Sequence, residues 1–352
     1  MPYFRPFDLD NLPAPPDPNA PPPPPAPAPL PRARRVPRAP RPPRPARQPR
    51  PPRFPAPEGP RPVLDRLWII GAGRLGLALG YRLARTGAVG TLAYSGRQAE
   101  APAHPVFSRY PWLARYQAGL TPPPASGTGL LLAVPDDALA EVVAQLAALD
   151  LPPGLPVLHA SGSLSLEVLA PLAAKGHPVG GLHPLAAIAD PVDGAERLRG
   201  ATFGVEGEGA ARELAERLVS ACEGYVLAIQ PGGKALYHAA AVFASNYAVS
   251  LLSVAVRLMV QAGVGAEEAQ AALTTLAAGA VENVAALGPI AALTGPVARG
   301  DADTVARHLA RLSGADRDVY CLLGREALKL ASVRGLSGDA AKRMGALLGE
   351  AE

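Results

Sequence analysis

The sequence has little of what would place a protein outside the cell or in a membrane. Its 352 residues include only two cysteines, Cys222 and Cys321, which is too few for a disulfide framework and indicates a reducing compartment. No uninterrupted apolar run reaches the roughly 18 residues that a membrane-spanning helix needs. The first residues do not combine a basic segment with an apolar one, so we expect no signal peptide. These absences predict a cytoplasmic protein that does not enter a membrane.

Proline and arginine are concentrated at the N-terminus. Residues 1–62 hold 26 of the 43 prolines and 11 of the 34 basic residues but only 4 of the 30 acidic ones. This segment therefore carries about +7 and the remainder about −3, so the body of the protein gives no reason to expect nucleic-acid binding. Proline removes backbone donors and apolar side chains are few, which predicts a disordered tail. The tail is either a solvated segment or a contact for an unknown partner.

Two domains are predicted beyond the tail. Residues 63–229 alternate apolar strand patterns with helical ones, which predicts an α/β Rossmann domain with a mostly parallel sheet. From residue 230 to 352 no strand pattern remains, and this part predicts an all-α C-terminal domain. The predicted strands lie at 67–70, 91–94, 130–134, 157–160, 179–182 and 202–205, and the predicted helices of the second domain lie at 234–262, 266–286, 302–312, 315–334 and 338–348.

A glycine-rich segment directly follows the first predicted strand and opens a helix. Gly71 permits a tight turn, Gly73 lets the backbone approach a pyrophosphate, and Gly76 lets helix and strand pack closely. The helix N-terminus presents free N–H groups to the phosphates. We therefore predict that Gly71, Gly73, Leu75 and Gly76 bind a dinucleotide, although a structural glycine turn is the alternative. Arg74 is a second phosphate ligand or points to solvent.

The residues after the second strand indicate which dinucleotide binds. An NAD enzyme usually has an acidic residue there, for the ribose 2′-hydroxyl, whereas this sequence has Ser95 and Arg97. Arginine can pair with a 2′-phosphate and serine can donate a hydrogen bond, so NADP(H) is favoured over NAD(H). Arg97 as a solvated loop residue is the alternative. Val134 and Pro135 end another strand and are predicted to border the cofactor.

Polar loops after later strands indicate a substrate site. His159, Ser161 and Gly162 follow one strand, where the serine hydroxyl and nearby N–H groups could bind a carboxylate or carbonyl. The alternative is a loop that only caps the next helix. His183 follows another strand, behind the Gly180–Gly181 pair interpreted as a flexible turn, and could transfer a proton near neutral pH or play a structural role.

The start of the helical part carries further candidates. Lys234 and His238 are four residues apart and share a helix face, with Asn246 eight residues further on. Lysine or histidine can protonate the heteroatom of a reduced carbonyl or imine, although a surface lysine beside a buried histidine is the alternative. Asn283 and Thr294 are predicted to line the substrate cleft. No metal site is predicted.

Several of these motifs together resemble a bacterial family that pairs a Rossmann-like domain with domain of unknown function 2520. They read GAGRLG, LLLAVPDDAL, HASGSLS, GGLHPLAAIAD, LYHAAAVFASNY and ALTGPVARGD, and the resemblance covers about residues 64–312. The family is similar in architecture to the 6-phosphogluconate dehydrogenase-like superfamily, which includes β-hydroxyacid dehydrogenases and ketopantoate reductases. The resemblance implies that Lys234 is catalytic, and it places His238 where β-hydroxyacid dehydrogenases have asparagine. It also implies a homodimer through the helical domain.

Two hypotheses of function follow. The first is an NADPH-dependent oxidoreductase that reduces a small keto acid, such as ketopantoate, or an imine. Lys234 or His238 would move the proton, and Ser161, Asn246 and Asn283 would orient the substrate, with His183 nearby. The second is a non-catalytic NADP sensor whose tail recruits a partner, a role that would not need the polar residues of the helix.

Overall fold

The structure, a computed structural model, describes residues 64–121 and 129–349. The predicted tail, residues 1–62, lies outside the described residues. The chain forms two compact units that divide between Asn246 and Tyr247. This division differs from the predicted boundary at residue 230, because side chains of the helix that begins at Lys234 contact the sheet.

The first unit is built on one mixed sheet of eight strands. Six neighbouring strands run parallel, and the last two run antiparallel to them but parallel to each other. This arrangement confirms the predicted α/β class with a mostly parallel sheet. In spatial order the strands are β3 (Ala114–Ala118), β2 (Leu92–Gly96), β1 (Leu67–Ile70), β4 (Gly129–Leu132), β5 (Val157–His159), β6 (Val179–Pro184), β7 (Thr202–Gly207) and β8 (Tyr225–Ala228).

Helices cover both faces of this sheet. Alternate residues of β1 feed two separate cores, with Leu67 and Ile69 in one and Trp68 and Ile70 in the other. Because both faces are covered, a central strand is apolar at every position rather than at every second one. The helices of this unit are α1 (Arg74–Thr86), α2 (Pro105–Arg109), α3 (Asp136–Ala147), α4 (Ala170–Ala173), α5 (Pro191–Arg197), α6 (Gly209–Ala221) and α7 (Lys234–Ala244).

The sequence patterns missed both outer strands and misassigned one turn. The strands β3 and β8 lie at the two ends of the sheet. In β3 (ARYQA) polar residues interrupt the apolar pattern, whereas β8 (YVLA) is apolar throughout but exposed, and its short run was not assigned as a strand. The pair Gly180–Gly181, interpreted as a flexible turn, lies inside β6 and hydrogen-bonds on both sides. This strand continues to Pro184, two residues beyond its predicted end.

The second unit is helical, as predicted. The long helix predicted over 234–262 is interrupted at Ser245, and the helix predicted to end at residue 286 continues to Ala292 through a kink at Gly288. A small core forms around Val305, Leu328 and Met344. The helices of this unit are α8 (Asn246–Gln261), α9 (Ala266–Ala292), α10 (Ala302–Leu309), α11 (Gly314–Val333) and α12 (Gly338–Leu347).

Apolar side chains are unusually exposed on α7, α8 and α9. Leu236 is 80% exposed, Phe243 70% and Leu276 70%. The segments Lys234–Gln261 and Ala266–Arg299 each contain an 18-residue window of high mean hydropathy, 1.7 and 1.5, so both are apolar and long enough to cross a membrane by length and composition alone. Core helices of soluble proteins pass the same test. Polar residues interrupt both segments, so neither contains the uninterrupted apolar run that the sequence analysis required of a membrane span.

Candidate functional site

The glycine-rich loop joins β1 to α1 and needs glycine at two positions. Gly71 has φ +112°, a conformation that side chains rarely adopt, and a Cβ there would overlap the carbonyl oxygen of Ala133. At Gly76 a Cβ would overlap the carbonyl oxygen of Gly71. Gly73 has open space around it and precedes the first helical residue. The geometry fits the turn predicted at Gly71 and the close packing predicted at Gly76, and the open space at Gly73 would admit a pyrophosphate, whose binding stays a prediction.

A cavity of about 840 Å³ lies beside this loop, over the carboxyl ends of β1, β2 and β4. In open α/β sheets, ligands bind at this edge. Of the residues predicted to bind the cofactor, Gly71, Gly73, Ser95, Arg97, Val134 and Pro135 line the cavity. Arg74, Leu75 and Gly76 do not line it; Arg74 is exposed, and the other two pack toward the sheet.

Ser95 and Arg97 differ in what they can offer a ligand. The hydroxyl of Ser95 is buried and accepts hydrogen bonds from the Trp68 indole at 2.9 Å and from the Gln117 amide at 3.2 Å. Both bonds use the oxygen of Ser95 as acceptor, so its own O–H remains a donor, and its hydrogen bond to a 2′-phosphate stays a prediction. Arg97 is exposed at the cavity wall, where its guanidinium can reach an anion.

A second group of polar residues lies at the end of β5 and in the loop after it, residues 160–165, which we call the β5 loop. The backbone N–H of Ser161 donates to Nδ1 of His159 at 3.2 Å, so the neutral imidazole carries its proton on Nε2. That Nε2 is buried and has no hydrogen-bond partner among the described residues. The Ser161 hydroxyl accepts from the N–H groups of Ser163 and Leu164, at 3.2 and 2.9 Å. These bonds hold the turn itself, whereas the helical turn that follows, Leu166–Leu169, has Ser165 as its N-cap and no side-chain cap, so the choice between a substrate-binding and a capping Ser161 stays open.

His183, at the end of β6, faces helix α7. Its Nδ1 lies 2.9 Å from the hydroxyl of Tyr237, and the two rings meet edge to face. A Cβ on Gly162 would lie 2.7 Å from Nε2 of His183 and 2.5 Å from Nδ1 of His238. Both imidazoles therefore border the small volume above Gly162, which only glycine leaves open. Nδ1 of His238 is buried without a hydrogen-bond partner in the described part of the chain.

Lys234 is the first residue of α7 and is buried, with its Nζ bonded to the carboxylate of Glu206 on β7. The side chains of the two are 5% and 9% exposed. A charge this deep requires a partner, because water no longer solvates it. The alternative of a surface lysine is therefore wrong.

Burial sets the protonation of the two inner histidines. Burial first, and the Lys234 charge second, lower the pKa of His159 to about 4 and that of His183 to about 4. Both rings are therefore neutral near pH 7, where they can donate or accept hydrogen bonds but do not act as charged acids. Burial also raises the pKa of Tyr237 to about 12, so its hydroxyl keeps its proton.

Asp136, the first residue of α3, connects this polar cluster to the cavity. Its carboxylate accepts a hydrogen bond from the hydroxyl of Ser163, in the β5 loop. Its chain neighbours Pro135 and Asp137 line the cavity. The cavity and the polar cluster, which consists of His159, His183, Lys234, Tyr237 and His238, are thus adjacent within the first unit.

Three further predicted substrate residues follow α7 along the chain. Asn246 is exposed and follows the interruption at Ser245, so the eight-residue spacing from His238 no longer places it on the same helix face. Asn283 and Thr294 belong to the second unit, where both are exposed. Their roles stay predictions.

Sequence reasoning missed several residues of the site. Glu206 matches no motif, so it was not singled out. A single acidic residue at the end of an apolar strand is unusual, however, and this is the feature by which it could have been found. Tyr237 was not singled out because its neighbours Lys234 and His238 were stronger candidates for proton transfer. Gln98 and Tyr116 line the cavity and hydrogen-bond to each other, but Tyr116 lies on the missed strand β3. Among the residues that the structure describes, no group of three potential ligands could hold a metal ion.

Comparison with known families places two domains on the chain. Residues 57–184 match the Rossmann-like domain, and residues 201–327 match domain of unknown function 2520. The two matches follow one another along the chain in the order that its motifs predicted. No curated protein is similar enough to the chain to count as a match.

Solved structures share the fold. The protein TM1727 from Thermotoga maritima is 22% identical, with a TM-score of 0.59, over 76% of this chain and 99% of its own. BF3122 from Bacteroides fragilis, a proposed NADP oxidoreductase, is 21% identical, also with a TM-score of 0.59, over 75% of this chain and 97% of its own. At these identities the likeness describes the fold.

Proposed function

We propose that this protein is an NADPH-dependent oxidoreductase that reduces the carbonyl or imine group of a small substrate. The observation that carries the proposal is one edge of the sheet, where a cavity suited to a dinucleotide adjoins a buried cluster that can supply a proton. BF3122, which has the same fold, is described as an NADP oxidoreductase, in agreement with this assignment.

The chain's residues fit the cofactor. The turn at Gly71 and the N-terminus of α1 would hold the diphosphate, and Arg97 would pair with the 2′-phosphate. The backbone at Val134 and Pro135 would border the nicotinamide end. When bound, NADPH supplies the hydride that reduces the substrate.

Lys234 is the residue we assign as proton donor. Reduction of C=O or C=N leaves a heteroatom that must gain a proton, and a lysine ammonium can give one. Neutral His183 would hydrogen-bond the same heteroatom, with its ring held by Tyr237. His238, across the volume above Gly162, is the second donor to test. The substrate class we favour is a small keto acid, with ketopantoate as the first compound to assay, or an imine.

Titration of the protein with NADPH and NADH, followed by absorbance at the nicotinamide band, tests this function. We expect NADPH to bind more tightly and to be oxidised with one member of a panel of 2-keto acids and cyclic imines. Binding without oxidation of any panel member would instead favour the non-catalytic sensor, and no binding of either nucleotide would refute the proposal.

Two substitutions test the assigned roles. Arg97→Glu should weaken NADPH binding about 10- to 100-fold without weakening NADH binding, the range for losing a hydrogen bond to a charged group. The exposed Arg197, outside the cavity, provides the matched control Arg197→Glu. Lys234→Ala should lower turnover about 100-fold or more with NADPH affinity retained. Normal turnover in Lys234→Ala would exclude this lysine as the proton donor.

We also propose that two copies of the chain pair through the apolar side chains of α8 and α9, in line with the homodimer that the family resemblance implies. Val249, Leu276 and Val281 are each more than two-thirds exposed, and burying such surface is what stabilises obligate dimers. Light scattering should give about twice the chain mass of 36.1 kDa. A monomer that stays in the soluble fraction would refute the dimer, and recovery in the membrane fraction would refute the cytoplasmic location.

A further inference from the structure

Glu206 has no part in the function proposed so far, although it makes the buried contact on which Lys234 depends. We propose that Glu206 is the positioning residue that keeps Lys234 charged and holds its Nζ at the polar cluster. The inference rests on the proposed function only in giving Lys234 the role of proton donor.

Two features of its position disfavour a charge on Lys234. It is the first residue of α7, where the positive end of the helix dipole repels an ammonium group. It is also 4% exposed, and burial favours the neutral amine. A neutral amine has no proton of the required acidity to give. Lys234 can therefore act as an acid only if another group favours its ammonium form.

The carboxylate of Glu206 is the group that favours the ammonium form. It is bonded to Nζ and is itself only 9% exposed, so solvent screens the attraction little. It is also the only carboxylate among the described residues that forms an ion pair with Lys234. The other titratable groups of the polar cluster are His159 on β5, His183 on β6, and Tyr237 and His238 on α7, and Asp136 of α3 lies next to the cluster.

The strand opposite makes room for this pair. Gly181 on β6 is the antiparallel partner of Glu206 on β7. A Cβ at Gly181 would lie 3.0 Å from Oε2 of Glu206 and 3.4 Å from Nζ of Lys234. Glycine at this position therefore lets the carboxylate and the ammonium meet beside the sheet. Gly181→Ala would displace the carboxylate by a few tenths of an ångström while both charges remain.

The composition of the chain makes a direct measurement possible, because the sequence contains only four lysines. Lys234 is buried, and the other three, Lys175, Lys329 and Lys342, are exposed. In protein labelled with ¹⁵N at lysine Nζ, we expect three ammonium signals of exposed groups and one displaced signal. Loss of the displaced signal in Lys234→Arg would assign it.

The test compares Glu206→Gln, which removes the charge, with Glu206→Asp, which keeps it, and with Glu213→Gln at an exposed position of α6. At pH 8 the Lys234 signal should remain that of an ammonium group in the wild type, Glu206→Asp and Glu213→Gln. It should move toward the neutral-amine position in Glu206→Gln. An unchanged signal in Glu206→Gln would overturn the proposal, whether or not any substrate has been found.

Kinetics with a substrate from the panel give the second readout. Glu206→Gln should lower kcat about 100-fold and Gly181→Ala about tenfold, with KM and NADPH affinity changed less than about threefold, because binding does not use the proton. A kcat for Glu206→Gln within about twofold of the wild type would refute the positioning role. If Glu206→Gln does not fold, Gly181→Ala tests the positioning alone, and a kcat for it within about twofold of the wild type would refute the positioning role. Absence of turnover in the wild type would instead count against the proposed function.

Discussion

The buried pair Lys234–Glu206 predicts opposite effects for single and double substitutions. Lys234→Met leaves a carboxylate without a partner, and Glu206→Leu leaves an ammonium group without one. The combined variant replaces both charges with apolar side chains of similar volume. The comparison isolates the interaction from the loss of either side chain.

The exposure of the two side chains sets the magnitude. At 5% and 9% exposed, an unpaired charge at either position is poorly solvated, so each single substitution should lower the free energy of unfolding by about 3–5 kcal/mol. The double variant should lie within about 1 kcal/mol of the wild type or exceed it, because removing both charges also removes the cost of burying them.

Urea unfolding followed by tryptophan fluorescence measures these values. Trp68 is 1% exposed and Trp112 is 71% exposed, and both belong to the unit that contains the pair. The fluorescence signal therefore follows the unit that contains the pair. If the free energy of unfolding falls with urea concentration at the same slope in the variants and the wild type, unfolding exposes the same amount of surface in each.

The control is an ion pair of the same unit that is exposed to solvent. Arg212 and Glu216 are four residues apart on α6, with side chains 40% and 46% exposed. Glu216→Gln should cost less than about 0.5 kcal/mol. Costs below about 1 kcal/mol for both single substitutions of the buried pair, or a double variant as unstable as the two singles added together, would refute the reasoning.

Three further predictions concern other parts of the site. His159 and His183, with pKa values lowered to about 4, are neutral in the fold, so the unfolded chain binds protons first as the pH falls. Stability should therefore drop between about pH 6.5 and 4, by at most about 3 kcal/mol for each histidine, and urea midpoints of His183→Gln should fall less than those of the wild type. Gly162→Ala should lower turnover at least about tenfold while NADPH still binds, because its Cβ would displace both imidazoles. Gly71→Ala should abolish NADPH binding in fluorescence titrations, because its turn requires φ +112° beside the Ala133 carbonyl, and should destabilise the fold by about 1–3 kcal/mol.

Each of these has a contrary outcome. Equal losses of stability in His183→Gln and the wild type on acidification would show that His183 does not bind its proton on unfolding. Normal turnover in Gly162→Ala would place the substrate away from the two imidazoles. NADPH binding by Gly71→Ala would separate the glycine turn from the cofactor. Gly279→Ala, in α9, with open space around its Cα, is a matched control for both glycine substitutions.

Local patterns in the sequence determined the sheet and the glycine loop. The strand Leu67–Ile70 is apolar throughout because helices cover both faces of the sheet. Its four consecutive apolar residues are enough to predict a buried strand. The roles of Gly71 and Gly76 follow from spacing within a single turn. Lys234 and His238 could be grouped because four residues on a helix define one face. In each case the residues that interact are near one another in the chain.

Only the tertiary structure decided how the site is completed. Glu206 lies 28 residues from Lys234, and Tyr237 lies 54 from His183. Such contacts depend on the antiparallel register of β6 with β7 and on where α7 meets the sheet, which no short pattern contains. The same holds for Ser95, whose hydroxyl oxygen accepts hydrogen bonds from Trp68 and Gln117, two residues that no pattern in the sequence links to it. Side-chain chemistry can thus be identified from the sequence, whereas the partner that buries or neutralises each group depends on residues brought together by folding.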